Sequence, residues 1–163
     1  MESLAQLSPT LQACLAGIFG LLVGSFLNVV ITRLPVMMMR QWRAEAREAL
    51  ELEAEDTPRF NLLVPASRCP GCDTPIKWHD NLPILGWLKR RGRCASCNTR
   101  ISAQYPLVEL AGGALGASIA LIYGLEAQSL WIFGACLTLL VLSVIDFRTQ
   151  LLPDAITLPL LWA

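Results

Sequence analysis

Charge is what this sequence has least of. Asp, Glu, Lys and Arg make up 16% of its 163 residues, while 54% are hydrophobic. A soluble domain carries about 25% charged residues, so an ordinary soluble globule is excluded. Lys and Arg are absent from the first 32 positions altogether. That absence argues against a cleaved signal peptide, which needs a basic start, and the apolar stretch is too long for the usual signal core. The short link "GLEAQ" (124–128) has no Lys or Arg either. The basic charge is concentrated instead: every Lys and Arg except Arg148 lies between Arg33 and Arg100. A formal net charge of zero therefore conceals a membrane protein with one basic polar insert.

Four stretches are apolar enough to enter a bilayer. The first, Leu11 to Thr32, has 22 residues and no charge. As a helix rising about 1.5 Å per residue it reaches about 33 Å, enough to cross the hydrocarbon core. The second covers roughly 106–123, the third 129–145, and the fourth starts near Ile156 and runs to Ala163. The fold class expected is an all-α polytopic membrane protein with a cytoplasmic zinc-ribbon-like insert. Residues 1–34 hold the first transmembrane helix and 35–103 the insert. Residues 104–163 hold helices two and three and the start of the fourth. Because flanking Lys and Arg stay on the cytoplasmic side, the N-terminus is placed outside and the insert inside. The polar end of the third helix then faces the cytoplasm.

Within the first helix, Ala16, Gly20, Gly24, Asn28 and Thr32 recur every four residues. Small residues on one stripe let helices approach closely in lipid, and a packing face accounts for them; Ser25 and Asn28 could instead line a site. Pro35 is expected to end this helix. Residues 37–55, "MMMRQWRAEAREALELEAE", are rich in helix formers and read as a separate amphipathic helix, on the membrane surface or capping the insert. Its basic half would lie on anionic headgroups, with a break at Asp56 to Pro58.

The insert carries "CPGC" (69–72) and "CASC" (94–97), two Cys-x2-Cys turns 21 residues apart. Four thiolates presented this way make a tetrahedral zinc site at Cys69, Cys72, Cys94 and Cys97. In a reducing compartment metal is favoured over disulfides, and a redox dithiol would leave the second pair idle. Lys89, Arg90, Arg91 and Arg93 would offset the thiolate charge. The membrane setting argues against nucleic acid as a partner. His79, the only histidine, reads as a surface residue because four cysteines already close the site. Cys14 and Cys136 are small apolar fillers.

Two carboxylates at membrane edges stand out. Glu109 is placed in the first turn of the second membrane helix, where the helix dipole favours an anion; a role at a site is the alternative, since an acid at that depth is costly. Asp146 ends the third apolar run, and Arg148 or the interface could relieve its cost. The other reading is catalysis, two acids sharing a proton to activate water against a peptide bond. Asp154 is the nearby candidate partner, although it better suits an N-cap of the fourth helix.

Taken together, "GSFLNVVITRLP" (24–35), "CPGC", "NLPILGWL" (81–88), "RGRCASCNTRISAQYPLVEL" (91–110) and "IDFRTQLLPD" (145–154) resemble the bacterial type IV prepilin peptidase family. The resemblance runs over nearly the whole chain. It implies a bacterial inner-membrane enzyme that cleaves the basic leader of type IV prepilins and pseudopilins by aspartic protease chemistry. It further implies that the new N-terminus is methylated from S-adenosylmethionine. By the same resemblance Asp146 is the first catalytic aspartate, the four insert cysteines hold zinc, and Gly92 is tied to methyl transfer; Asp154 and Glu109, from their own positions, are the candidate supporting residues. The family's second catalytic aspartate sits in a Gly-x-Gly-Asp motif that does not occur here. The chain thus reads as the N-terminal portion of the enzyme, without peptidase activity alone. Two other classes fit the same helices and cysteines: a non-enzymatic zinc-ribbon scaffold of a pilus or secretion machine, and a methyltransferase-only module.

Overall fold

The computed structural model describes residues 7–53 and 58–162. Among these residues it is helical, with no strand beyond isolated bridges in the insert. In chain order the helices are α1 (Pro9–Ala49), the short α2 (Leu85–Lys89), α3 (Gln104–Tyr123), α4 (Ala127–Thr149) and α5 (Asp154–Trp162). Three of them, α1, α3 and α4, are long and apolar enough to cross a membrane. The expected helical membrane architecture is therefore present.

Pro35 does not end the first helix. α1 runs unbroken for 41 residues with Pro35 inside it, so the separate helix expected at 37–55 is its continuation and stops at Ala49. The remainder of that expected element, from Ala54, and the break at Asp56 and Thr57 lie outside the described residues. An interior proline removes one helical hydrogen bond and crowds the preceding turn, at a cost of about 3 kcal/mol. Here Pro35 and Ile31, one turn before it, are both buried. Unwinding would strand their peptide groups without partners. The Arg-, Ala- and Glu-rich stretch that follows favours helix on its own. At about 1.5 Å per residue α1 is about 60 Å long, roughly twice a hydrocarbon core, so its polar half continues past the apolar half.

The small-residue stripe is a packing face. α1 lies along α3 so closely that a Cβ on Gly20 would strike the carbonyl of Gly112, and one on Gly112 would sit 2.6 Å from the Gly20 oxygen. Where lipid gives no hydrophobic drive between helices, such backbone approach supplies the van der Waals contact instead. α4 closes the bundle with Val141 and Ile145 against Ile31 and Val108, and with Phe133 and Leu137 against Ile119. At the opposite end the Gln12 side chain accepts the Leu125 amide at 3.2 Å, tying the α3–α4 turn to the start of α1.

The insert folds back on α1. Arg33 donates to the carbonyls of Asn61 (2.9 Å) and Pro65 (2.6 Å). Arg33 and Arg40 also lie over the Phe60 ring, 5.7 and 4.5 Å from its centre, a cation–π arrangement.

Candidate metal centre and membrane-edge carboxylates

Each Cys-x2-Cys turn is a small hairpin knuckle made by local hydrogen bonds. In the first, Cys69 N–H donates to Thr74 O (3.0 Å), Asp73 N–H to Cys69 O (2.9 Å) and Ile76 N–H to Ser67 O (2.9 Å). The second repeats the pattern: Cys94 to Thr99 O (2.9 Å), Asn98 to Cys94 O (3.2 Å) and Ile101 to Gly92 O (2.8 Å). Asp73 and Asn98 both take positive φ, 53° and 57°, a conformation their short polar side chains tolerate. This equivalence is written in the sequence as "RCPGCDTPI" (68–76) and "RCASCNTRI" (93–101). That internal repeat is the signal by which the two knuckles could have been paired residue by residue, beyond their cysteine spacing.

The knuckles face each other and bring all four sulfurs within 4.8 Å of one another. Cys69 Sγ lies 3.7 Å from Cys97 Sγ, and Cys72 Sγ 3.9 Å from Cys94 Sγ. These separations are far beyond a disulfide bond of about 2 Å, and all four cysteines are free. Backbone amides point at the sulfurs: Gly71 N–H reaches Cys69 and Ser96 N–H reaches Cys94, each at 3.4 Å. The Thr74 and Thr99 hydroxyls lie 3.2 and 3.1 Å from Cys72 and Cys97. The Thr99 hydroxyl, then its amide, hold the Cys97 thiol down at about 6. At Cys69 the Gly71 amide acts in the same downward sense, but burial and the neighbouring sulfurs prevail and push that thiol up to about 11. The cluster can hold a metal ion.

Gly92 underlies the second knuckle. It is buried with φ +66°, and a Cβ there would come within 2.7 Å of the Trp87 ring. Trp87 in turn donates its indole N–H to Ile101 O at 3.3 Å. Of the four cations expected to balance the thiolates, two also bond to a carboxylate, and one of these, Arg90, feels the charge of Cys94 as well. Arg90 places Nη2 2.7 Å from Asp80 Oδ2, and Lys89 Nζ is 3.2 Å from Oδ1. The Arg90 bond is foremost in holding the Asp80 carboxyl down to about 2. His79, expected at the surface, is partly exposed with Nε2 3.6 Å from Asp80.

The carboxylates fall differently from expectation. α3 begins at Gln104, so Glu109 is in its second turn, not its first, and is only 7% exposed. Its partner is not the end of its own helix but the insert: Oε2 accepts the Ile84 amide at 2.7 Å. Ser25 lies beside it. Next along the same interface, buried Asn28 donates to Tyr105 O at 3.0 Å, while its Oδ1 has no hydrogen-bond partner among the described residues. Asp146 lies in the last turn of α4, exposed, directly after fully buried Ile145. Its carbonyl accepts the amide of Gln150, which caps the helix in the left-handed region. Asp154 does not cap α5. It is the first helical residue, and Pro153 O takes the first helical bonds, from Ile156 (2.9 Å) and Thr157 (3.0 Å). Both aspartates are exposed, and they share no hydrogen bond among the described residues. An open cleft of about 470 Å³ runs between α3 and α4 beside this end, lined by Leu107, Val108, Leu140 and Val144 together with Gln104 and Arg148. A second cleft lies between Arg40 and Arg59.

The sequence model of the bacterial peptidase A24 N-terminal domain matches residues 18–123. A prepilin leader peptidase/N-methyltransferase of Burkholderia pseudomallei (strain 1026b) is 46% identical over 166 residues, covering 100% of this chain and 54% of its own. That of Stutzerimonas stutzeri is 52% identical over 150 residues, covering 89% and 50%. That of Neisseria gonorrhoeae is 49% identical over 166 residues, covering 99% and 57%. The chain thus spans about half the length of these relatives. No solved structure matches it.

Proposed function

This chain belongs to the family of the bacterial peptidase A24 N-terminal domain, and on that footing we propose that it is the N-terminal half of a prepilin-processing enzyme. The reaction is removal of the basic leader from type IV prepilins and pseudopilins, followed by N-methylation of the new N-terminus with S-adenosylmethionine. The observation that carries this reading is identity of 46–52% to relatives of that name over nearly all of these residues. Incubating membranes that hold the full-length enzyme with a prepilin and labelled S-adenosylmethionine tests it, with cleavage and methyl incorporation scored separately. Neither product appearing would overturn it.

In this reading Asp146 acts on water at the membrane edge. Its position at the end of α4 joins a rigid packed helix to an exposed carboxylate, so the acid is held in place yet open to solvent and a peptide. One carboxylate cannot take a proton from water and protonate the substrate in the same step. A partner acid is required, and the exposed Asp154, directly after Pro153, shares no hydrogen bond with Asp146 among the described residues. The partner in the resemblance is the Gly-x-Gly-Asp aspartate.

The metal of the insert is zinc. A tetrahedral ion with zinc–sulfur bonds of about 2.3 Å sets its sulfurs about 3.8 Å apart, and the 3.7 and 3.9 Å separations meet that requirement. With four sulfurs on it the ion cross-links the knuckles and has no open position for catalysis. The methyl donor is different. Both clefts carry arginine and neither has a carboxylate in its lining, so neither supplies an anion to face the sulfonium. The part of Gly92 in methyl transfer would run through the knuckle, because a side chain there displaces Trp87 and the hairpin bearing Cys94 and Cys97.

The enzyme lies in the bacterial inner membrane, N-terminus periplasmic and insert cytoplasmic. The Lys and Arg distribution motivates this orientation. A reporter fused after Arg59 should score cytoplasmic and one at Glu126 periplasmic; the reverse pattern would put Asp146 on the wrong side for a cytoplasmic leader.

A further inference from the structure

The insert has an apolar edge that its own fold does not cover. In α2, Gly86 is buried against the Asp80 carbonyl, and Trp87 is turned inward against Gly92. Residues three apart on a helix share a side, and here Leu85 and Leu88 share the outer one, 65% and 57% exposed. Leu82, just before the helix, is 41% exposed. In water this would be a poor arrangement for so short a helix, since each leucine would leave apolar surface hydrated.

The depth of this edge is set by a bond to a membrane helix. Ile84, between Leu82 and Leu85, gives its amide to Glu109, in the second turn of a helix long enough to span. A segment 2.7 Å from that carboxylate lies where α3 enters the bilayer. On α3 itself, Leu107 and Leu110, flanking this level, are also turned outward and exposed. Cations follow immediately: Arg91 and Arg93 are exposed and make no ion pair among the described residues. Leucines at the acyl boundary followed by arginines at the phosphates is the order that binds an anionic lipid surface.

We propose that the insert is docked flat against the bilayer, with Leu82, Leu85 and Leu88 in the interfacial layer and Glu109 as the tether that fixes their depth. The occupant of the exposed edge is lipid. Zinc then has a mechanical purpose: it makes rigid a domain held at the membrane surface, beside the end of α4 that carries Asp146.

The test places a photoreactive benzophenone side chain at Leu85, at Leu88 and, for reference, at the exposed Glu48 in the polar half of α1. The full-length enzyme is reconstituted in discs of phosphatidylglycerol and phosphatidylethanolamine, with and without added prepilin. Mass spectrometry after irradiation should find lipid adducts at Leu85 and Leu88 at least about fivefold above Glu48, as expected for side chains in the acyl boundary. Yields equal to the reference, or adducts to a second copy or to prepilin only, would overturn the proposal. The readout needs no catalytic turnover, so it stands apart from the assignment of activity.

Discussion

Changing Cys69 to serine should release the zinc and leave residues 68–101 without fixed structure, the largest stability effect expected from a single substitution in this chain. The four sulfurs lie within 4.8 Å of one another, and little else in the insert could gather them. Its helix α2 is five residues long, and among the described residues no strand is longer than an isolated bridge. Structural zinc in comparable small folds contributes on the order of 10–16 kcal/mol of apparent binding free energy. One missing ligand of four removes most of that, and Cys69, the buried member, cannot be replaced from solvent. Cys97→Ser should behave alike. Ser96→Ala alters an exposed side chain in the same turn and should keep the metal. Metal analysis of the purified chain, about one zinc in the parent and none in the cysteine variants, decides it; a metal-free parent, or variants that retain zinc, would refute the site. Because Ile84 bonds to Glu109, loss of the knuckles should also raise hydrogen exchange at the start of α3.

Asp146→Asn is expected to abolish leader cleavage. The motive is an exposed carboxylate at the end of a packed helix, in a segment resembling the family's first catalytic aspartate. Asparagine keeps the size and hydrogen-bonding reach but cannot accept a proton from water. In the full-length enzyme the loss should be about a thousandfold or more, as when one member of a cooperating catalytic group is removed. Methylation of a pilin already cleaved should persist, since that step does not use the acid. Asp154→Asn should do much less, because Asp154 is the first residue of a new helix whose opening bonds are taken by Pro153. These 163 residues alone should not cleave prepilin, for want of a second acid. Normal cleavage by Asp146→Asn, or cleavage by this half alone, would make Asp146 a structural residue.

Much of this was legible from residue order, for a definable reason. Whether a stretch enters lipid depends on a sum of transfer energies over about twenty consecutive residues, so the spans now seen as α1, α3 and α4 could be read locally. A Cys-x2-Cys knuckle closes on itself within six residues, and two of them announce a four-sulfur centre whatever surrounds them. The glycine stripe, too, foretold close helix packing, although not that Gly20 would meet Gly112.

Tertiary structure decided what depends on distant partners. Pro35 breaks helices by local rules, yet α1 passes through it because the neighbouring turn is buried and its peptide groups have no better bonds. Glu109 looked like an acid for its own helix dipole; an amide 25 residues earlier in the chain takes it instead. Lys89 and Arg90 looked like counter-ions for thiolates; both also bond to Asp80, and Arg90 feels the charge of Cys94 besides. In each case the competing choices differ by a few kcal/mol, within what one buried hydrogen bond or ion pair can reverse. Such bonds exist only once the chain has brought the two partners together.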